Sequence, residues 1–357
     1  MNGELKLTRF AKYAWFVLAY NIIVILWGVF LRASKSGDGC GQHWLTCGGE
    51  IIPSAPQLKT IIEFSHRITS SLAGFFILIL LIWAVVNWFS RNSERKSYLL
   101  KAVIGSFVFV AIEGLIGARL VLTGNTAETL TPERPFWMAG HLINTFILLA
   151  LLTLTAWFAS GGKKLNFNVK SKTLLLLGLG IFGILFVGIS GSIAALSNMI
   201  FPSSSLAEGL VSDFSATSHI LLRLRVIHPI LSAAVGFFLV IIAGWLKSQA
   251  KENVRINRWA NILCVLILIQ FASGAITLLT HAPILLQIIH LLLADLLWIT
   301  FVLLSANVLA EQNATEKNCL PLKFKARRDK KCDCFSNYFR FARFARLTAK
   351  IGRDKFT

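Results

Sequence analysis

Charge is what this sequence has least of. Of its 357 residues only 15% are Asp, Glu, Lys or Arg, while 55% are hydrophobic. So few charged groups could not cover the surface of a water-soluble domain of this size, and the composition is that of a membrane protein. Acidic residues are scarcer still, 17 against 36 basic ones, for a formal net charge of +19. In a soluble chain that excess would suggest a nucleic-acid partner. Here the cations gather in particular loops, so membrane topology accounts for them and no nucleic acid is expected. Only about a dozen residues precede the first apolar run, which leaves no recognisable cleavable signal or transit peptide.

Eight apolar runs are present, over residues 13–33, 61–89, 98–122, 136–160, 173–197, 218–246, 259–280 and 284–309. Each reaches the roughly 20 residues that a helix needs to cross a bilayer. Lys6, Arg9 and Lys12 precede the first run. Arg91, Arg95, Lys96 and Lys101 follow the second, Lys163, Lys164, Lys170 and Lys172 the fourth, and Lys247, Lys251, Arg255 and Arg258 the sixth. The alternate loops hold only Lys35, Lys59 and Arg134. By the positive-inside rule both termini are expected in the cytoplasm of a bacterial plasma membrane, with mitochondrial inner membrane as the lesser alternative.

The second run opens with IIEFSHRITSSLAG, which sets Glu63, His66 and Arg67 at i, i+3 and i+4 on one helix face. Ser70 and Gly74 follow on that face, small enough to admit a flat, bulky ligand beside the imidazole. Ionisable groups within a membrane span mark a functional site by default, the alternative being a cluster that snorkels to the interface. The pattern returns 162 residues on, in RVIHPILSAAVG, where His228, Ser232 and Gly236 repeat the histidine, serine and glycine. Gly117–Thr123 likewise matches Gly274–Thr280, and each leads into a run with an early histidine, His141 and His290. The chain is therefore an internal duplication of four runs. Four runs is an even number, so the halves share one orientation. The expected fold is all-α: a polytopic membrane protein of eight transmembrane helices forming two tandem four-helix bundles related by pseudo-twofold symmetry. Its parts are an N-terminus (1–12), a first half (13–160), a linker (161–172), a second half (173–310) and a basic tail (311–357).

Two histidines per half, at matched depth, are what two bis-histidine heme sites require, since neutral imidazole ligates heme iron and facing bundle helices can hold one macrocycle. A lone membrane histidine would more simply be a hydrogen-bonded core residue. His43, His219 and His281 read as ordinary interfacial residues. Glu113, Arg119 and Asp295 are further charges within spans. The first outer loop carries Cys40 and Cys47 among glycines, a separation that permits a disulfide in an oxidising compartment, two free thiols being the alternative. Cys264 is mid-span and reads as packing; Cys319, Cys332 and Cys334 lie on the reducing side. The tail has 13 basic and 5 acidic residues, and 335–353 reads as an amphipathic helix on anionic lipid or a disordered basic segment.

Taken together, the tandem halves, EFSHR on the second run, the loop cysteines and the histidines of runs four, six and eight resemble the heme A synthase family. The resemblance covers residues 15–309. It implies an oxidoreductase acting on CH or CH2 groups, oxidising the C8 methyl of heme O to the formyl of heme A for terminal oxidases. It implies that His66 and His141 frame the substrate heme O, that His228 and His290 hold a heme b cofactor as axial ligands, and that Glu63 is catalytic. Expected partners are heme O, membrane lipids, a heme O synthase and an electron acceptor. A carboxylate at the reacting edge can accept protons or stabilise positive charge; the alternative is a Glu63–Arg67 ion pair that only tolerates burial. Arg67, Arg119, Arg223 and Arg225 are candidate partners for heme propionates. The chain departs from the family pattern at Cys40-Gly-Gln-His-Trp44, where a Cys-Pro-x-Trp-Pro run is usual. In the second half Arg225 takes the place of the glutamate and Pro229 follows the histidine. Two rival functions would use the same four ligands: a di-heme electron-transfer cytochrome, and a heme carrier or sensor.

Overall fold

The computed structural model describes residues 7–90, 94–126 and 130–318. Ten helices account for most of them: α1 (Arg9–Ala33), α2 (Leu58–Ser90), α3 (Glu94–Leu122), α4 (Arg134–Ala159), α5 (Ser171–Ile200), α6 (Leu206–Phe214), α7 (Ile220–Arg225), α8 (Ile227–Gln249), α9 (Val254–Leu279) and α10 (Ile284–Asn318). No strand occurs among the described residues, only an isolated bridge between Cys47 and Glu50. Eight segments are long and apolar enough to cross a membrane, with α7 and α8 counting as one. In hydrocarbon every backbone polar group needs an internal partner, and the α-helix supplies one within each segment.

Local signals start the helices where the sequence places them. Thr8 caps α1 by accepting from the amide of Ala11 at 3.1 Å, Asn253 caps α9 through the amides of Arg255 and Ile256, and Pro135 opens α4. Inside the spans, hydroxyls bond back to their own helix. Ser70 donates to the carbonyl of His66 at 2.7 Å, and Ser232 to that of His228 at 2.6 Å. The small residues expected to face a ligand therefore also satisfy themselves locally.

Three features differ from the sequence expectation. The sixth run is broken at Val226 because Pro229 has no N–H to give the carbonyl of Arg225, so α7 stops there and α8 begins afresh. Ahead of it lies α6, a short helix outside the spans, capped by Ser205, which accepts from the amide of Glu208 at 3.2 Å. Hydrogen bonds from the hydroxyl and amide of Ser204 hold the Glu208 carboxyl below its ordinary value. The contacts of that carboxylate with Ser204 are thus intact above the usual carboxylate range and weaken on acidification. The last helix, α10, also runs past the expected end at Leu309, to Asn318. The amphipathic segment expected over 335–353, and Cys319, Cys332 and Cys334, lie outside the described residues.

In the first half α1 packs on α2, α2 on α3, α3 on α4 and α4 back on α1, a closed ring of four. In the second half α5 packs on α8 and α8 on α9. α10 is reached by long side chains: a Cβ at Gly180 would stand 2.4 Å from the ring of Phe301. The halves meet where α4, α5 and α10 converge. Trp298 donates its indole N–H to the carbonyl of Phe146 at 2.7 Å, and the two rings stack at 5.7 Å. Gly188 makes room there for Leu142 and Phe146. Small residues at such crossings let helices approach without a hydrophobic driving force. The described residues up to 315 form one compact unit.

Candidate functional site

All four expected histidines lie within roughly the first three turns of their spans, at the end of the bundle that carries the Cys40–Cys47 loop. Three of the imidazoles are seated on a glycine of a neighbouring helix. A Cβ at Gly28 would stand 3.1 Å from the Cε1 atom of His66, at Gly191 3.0 Å from that of His228, and at Gly274 3.1 Å from that of His290. Gly28 and Gly191 are 163 residues apart, in step with the 162 of their histidines, so the seat is duplicated along with the ring. Valine or leucine at any of the three would push the imidazole aside. Sequence reasoning missed Gly28 and Gly191; extending the repeat offset backwards from His66 and His228 would have found both.

The rings of the second half pair. His228 and His290 have centroids 6.4 Å apart with planes at 89°. An iron held between two imidazole nitrogens at about 2 Å each separates ring centroids by roughly 6 Å, so this spacing suits one bis-histidine iron. His66 and His141 lie within electrostatic reach of each other. Among the described residues three of the rings leave Nε2 without a protein hydrogen bond, whereas Gln270 Nε2 stands 3.3 Å from His290 Nε2. His228 Nδ1 meets the hydroxyl of Ser190 at 3.1 Å. His141 Nδ1 lies 3.3 Å from Glu113 Oε1. Such contacts fix a ligand ring and leave Nε2 for metal. The Nδ1 atoms of His66, His141 and His290 are buried without a hydrogen-bond partner, that of His141 having only the ion-pair contact with Glu113. Among the described residues no three His, Cys, Asp or Glu side chains converge. A porphyrin, which brings its own equatorial ligands, needs only the axial pairs present here.

The halves differ in room. Nothing stands within 4 Å of where a Cβ would project at Gly74, Gly117 or Gly140 in the first half. At the matching second-half positions the space is filled: Gly236 receives the ring of Phe271 and Gly274 that of His290. At Gly74 and Gly117 the first half is open where the matching glycines of the second are packed.

Glu63 is buried, at 3% exposure, and both its oxygens are engaged. Oε2 accepts from the amide of Cys40 at 2.8 Å, and Oε1 accepts from Arg67 at 2.5 and 3.1 Å. Arg67 in turn donates to the carbonyls of His43 and Thr46 at 2.7 and 2.8 Å. The carboxylate and guanidinium therefore clamp the first loop to the top of α2. Cys40 and Cys47 are joined by a disulfide within that loop. Gly39 presses against the start of α2, where a Cβ would lie 2.4 Å from the carbonyl of Lys59, so only glycine fits. The second half repeats the clamp with opposite charge. Arg225, the counterpart of Glu63, donates to Asp213 at 2.5 Å, to Asn198 at 3.0 Å and to the carbonyl of Gly209 at 3.2 Å, fastening α6 to α7.

The other candidate propionate partners are committed to the protein to different degrees. Arg223 donates to the carbonyls of Ser215 and Ala216. Arg119 is half-exposed, 3.6 Å from Glu133 and over the ring of Trp137, the loosest attachment of the four. Asp295 is fully buried, and neither oxygen has a hydrogen-bond partner among the described residues. His43, His219 and His281 are exposed, as expected of interfacial residues, and His219 caps α7.

Comparison with known proteins follows the same geometry. The model of a family described as cytochrome oxidase assembly protein (COX15-CtaA) matches residues 11–302, which include all four histidines, Glu63 and the disulfide. A protein of Thermus thermophilus named protoheme IX farnesyltransferase is 42% identical over 302 residues, 85% of this chain and 49% of that protein. The chain thus spans about half the length of that relative. Heme A synthases of Halalkalibacterium halodurans and Alkalihalophilus pseudofirmus are 29% and 28% identical, each match covering 78% of this chain and 90% of the relative.

Proposed function

The chain belongs to the cytochrome oxidase assembly protein family, and from that membership we propose that it is a heme A synthase, an oxidoreductase that converts the C8 methyl of heme O to a formyl group. The observation that carries the reading is the duplicated arrangement of paired histidines, most of them seated on glycine, in a membrane bundle. His66 and His141 frame heme O in the first half, and His228 and His290 hold a resident heme b. Heme b, when bound, supplies a one-electron redox centre shielded from water.

The rest falls to the chain's own residues. Turning a methyl into a formyl adds one oxygen atom and removes four electrons: written with water, CH3 + H2O gives CHO + 4 H+ + 4 e−, the electrons passing to an external electron acceptor and the protons to a base. Glu63, one turn ahead of His66, is the group that receives protons. Its bonds from Arg67 and the Cys40 amide fix the carboxylate in place and tie it to the loop that closes this end of the bundle. Arg119 is the guanidinium with freedom to meet a propionate. In this reading the opposite end and both termini lie in the cytoplasm of a bacterial plasma membrane and the disulfide on the oxidising side, which the cation-rich loops support. The Thermus relative bears the name of a farnesyltransferase acting on protoheme IX, the chemistry that yields heme O, so an enzyme of that class is the upstream partner.

Pyridine hemochrome spectra of membranes co-expressing this chain with a protoheme farnesyltransferase test the proposal. Heme A should accumulate. Heme b or heme O alone would make the protein a cytochrome or a carrier instead.

A further inference from the structure

The duplication places two unlike groups at one equivalent position. Counting 157 residues from Glu113 on α3 reaches Gln270 on α9, the same offset that relates Gly117 to Gly274. Both side chains meet the histidine of the following span. Glu113 Oε1 lies 3.3 Å from His141 Nδ1, and Gln270 Nε2 lies 3.3 Å from His290 Nε2. The carboxylate is oriented from α4: Thr145 donates to Oε1 and Asn144 to Oε2, and Asn144 also donates to the carbonyl of Phe109 at 2.9 Å. Thr145 and Asn144 thus both donate to Glu113, and His141 Nδ1, buried without a well-aligned hydrogen bond, has the carboxylate at ion-pair distance. Gln270, by contrast, presents an amide on the Nε2 side of its ring, and its own Oε1 is buried without a partner.

Resting on the reading that both histidine pairs bind heme, we infer that Glu113 is a positioning residue that acts through His141 and makes the first-half iron electronically unlike the second. A carboxylate accepting from Nδ1 fixes the ring so that Nε2 faces the iron, and raises the basicity of that ligand. A more basic axial imidazole favours ferric over ferrous iron and lowers the reduction potential. The water-poor surroundings of a membrane bundle strengthen the effect. Gln270 cannot act in this way on His290, because an amide carries no charge and here addresses the nitrogen that iron would take. The duplicated halves therefore hold irons of unequal potential, the lower one in the half where the substrate is oxidised.

Optical redox titration of the purified full-length protein, loaded with heme O and its resident heme b, tests the inference. The unmodified protein should titrate as two components, the lower one lost in His141→Ala. In Glu113→Gln, which gives the first half the amide of the second, that component should shift to higher potential at unchanged heme content while the other stays put. If neither component moves, or both move equally, Glu113 does not act through His141. Should Glu113→Gln lose the first heme altogether, Glu113→Asp decides the matter. Return of the heme at low potential supports the role, and no return, or return at high potential, overturns it. An unmodified protein with no heme component that depends on His141 would instead contradict the functional reading beneath this inference.

Discussion

At the scale of single residues, Glu63 is where two readings meet. Its ion pair with Arg67 and its bond to the Cys40 amide make it a clamp, and its place one turn before His66 puts it on the helix that carries a ligand of the first heme site. The two roles separate under Glu63→Gln, which keeps an oxygen for the Cys40 amide but removes the charge. If the clamp is all that matters, Arg67 is left buried without its counter-ion at about 3–5 kcal/mol, and the protein should express poorly. For a proton acceptor the expected outcome is normal yield, a normal heme b spectrum, and heme A formation lowered by roughly a hundredfold or more, with heme O or a partly oxidised alcohol accumulating. Heme extraction and chromatography of membranes carrying the variant measures all of these together. The histidines, Glu63 and the loop cysteines could be picked out of the sequence because their chemistry is costly in a membrane and because the motif recurs. Gly28, Gly191 and Ser190 could not be picked out by residue type, since glycine and serine are ordinary in such helices; only the repeat offset and the packing against His66 and His228 give them meaning.

Among the elements, the eight spans were legible because hydrocarbon length and apolar composition leave little choice. The break between α7 and α8 follows from Pro229, whose consequence for the carbonyl of Arg225 is a local rule that an apolar run conceals. The short α6 was hidden for the opposite reason: it lies in a polar connection, signalled only by Ser205 and Glu208 three residues on. Most of what holds the histidine end together lies in such connections. The first loop is tied to α2 by Glu63, Arg67, Thr60 and the Gly39 contact, and closed on itself by the disulfide. That loop should therefore stay oxidised and shielded in the folded protein. A thiol-reactive mass tag should label neither Cys40 nor Cys47 until reductant is added, and then both. Equal labelling without reductant would contradict a bonded loop on the oxidising side of the membrane.

For the whole molecule, duplication followed by divergence is the organising idea. The ligand histidines and one glycine seat, Gly28 and its counterpart Gly191, recur in both halves, whereas Glu63 corresponds to Arg225, Glu113 to Gln270, and the open positions at Gly74 and Gly117 are filled at Gly236 and Gly274. One half has kept an acid and open glycine positions; the other has kept a close seat with ring centroids at 6.4 Å. That division is the substance of the heme A synthase reading, and alanine substitution of each histidine in turn, followed by extraction and chromatography of the hemes retained by the purified protein, tests it most directly. His228→Ala and His290→Ala should strip out the resident heme b, while His66→Ala and His141→Ala should keep it and fail to form heme A. Full retention of a low-spin heme b spectrum in both second-half variants would contradict the account.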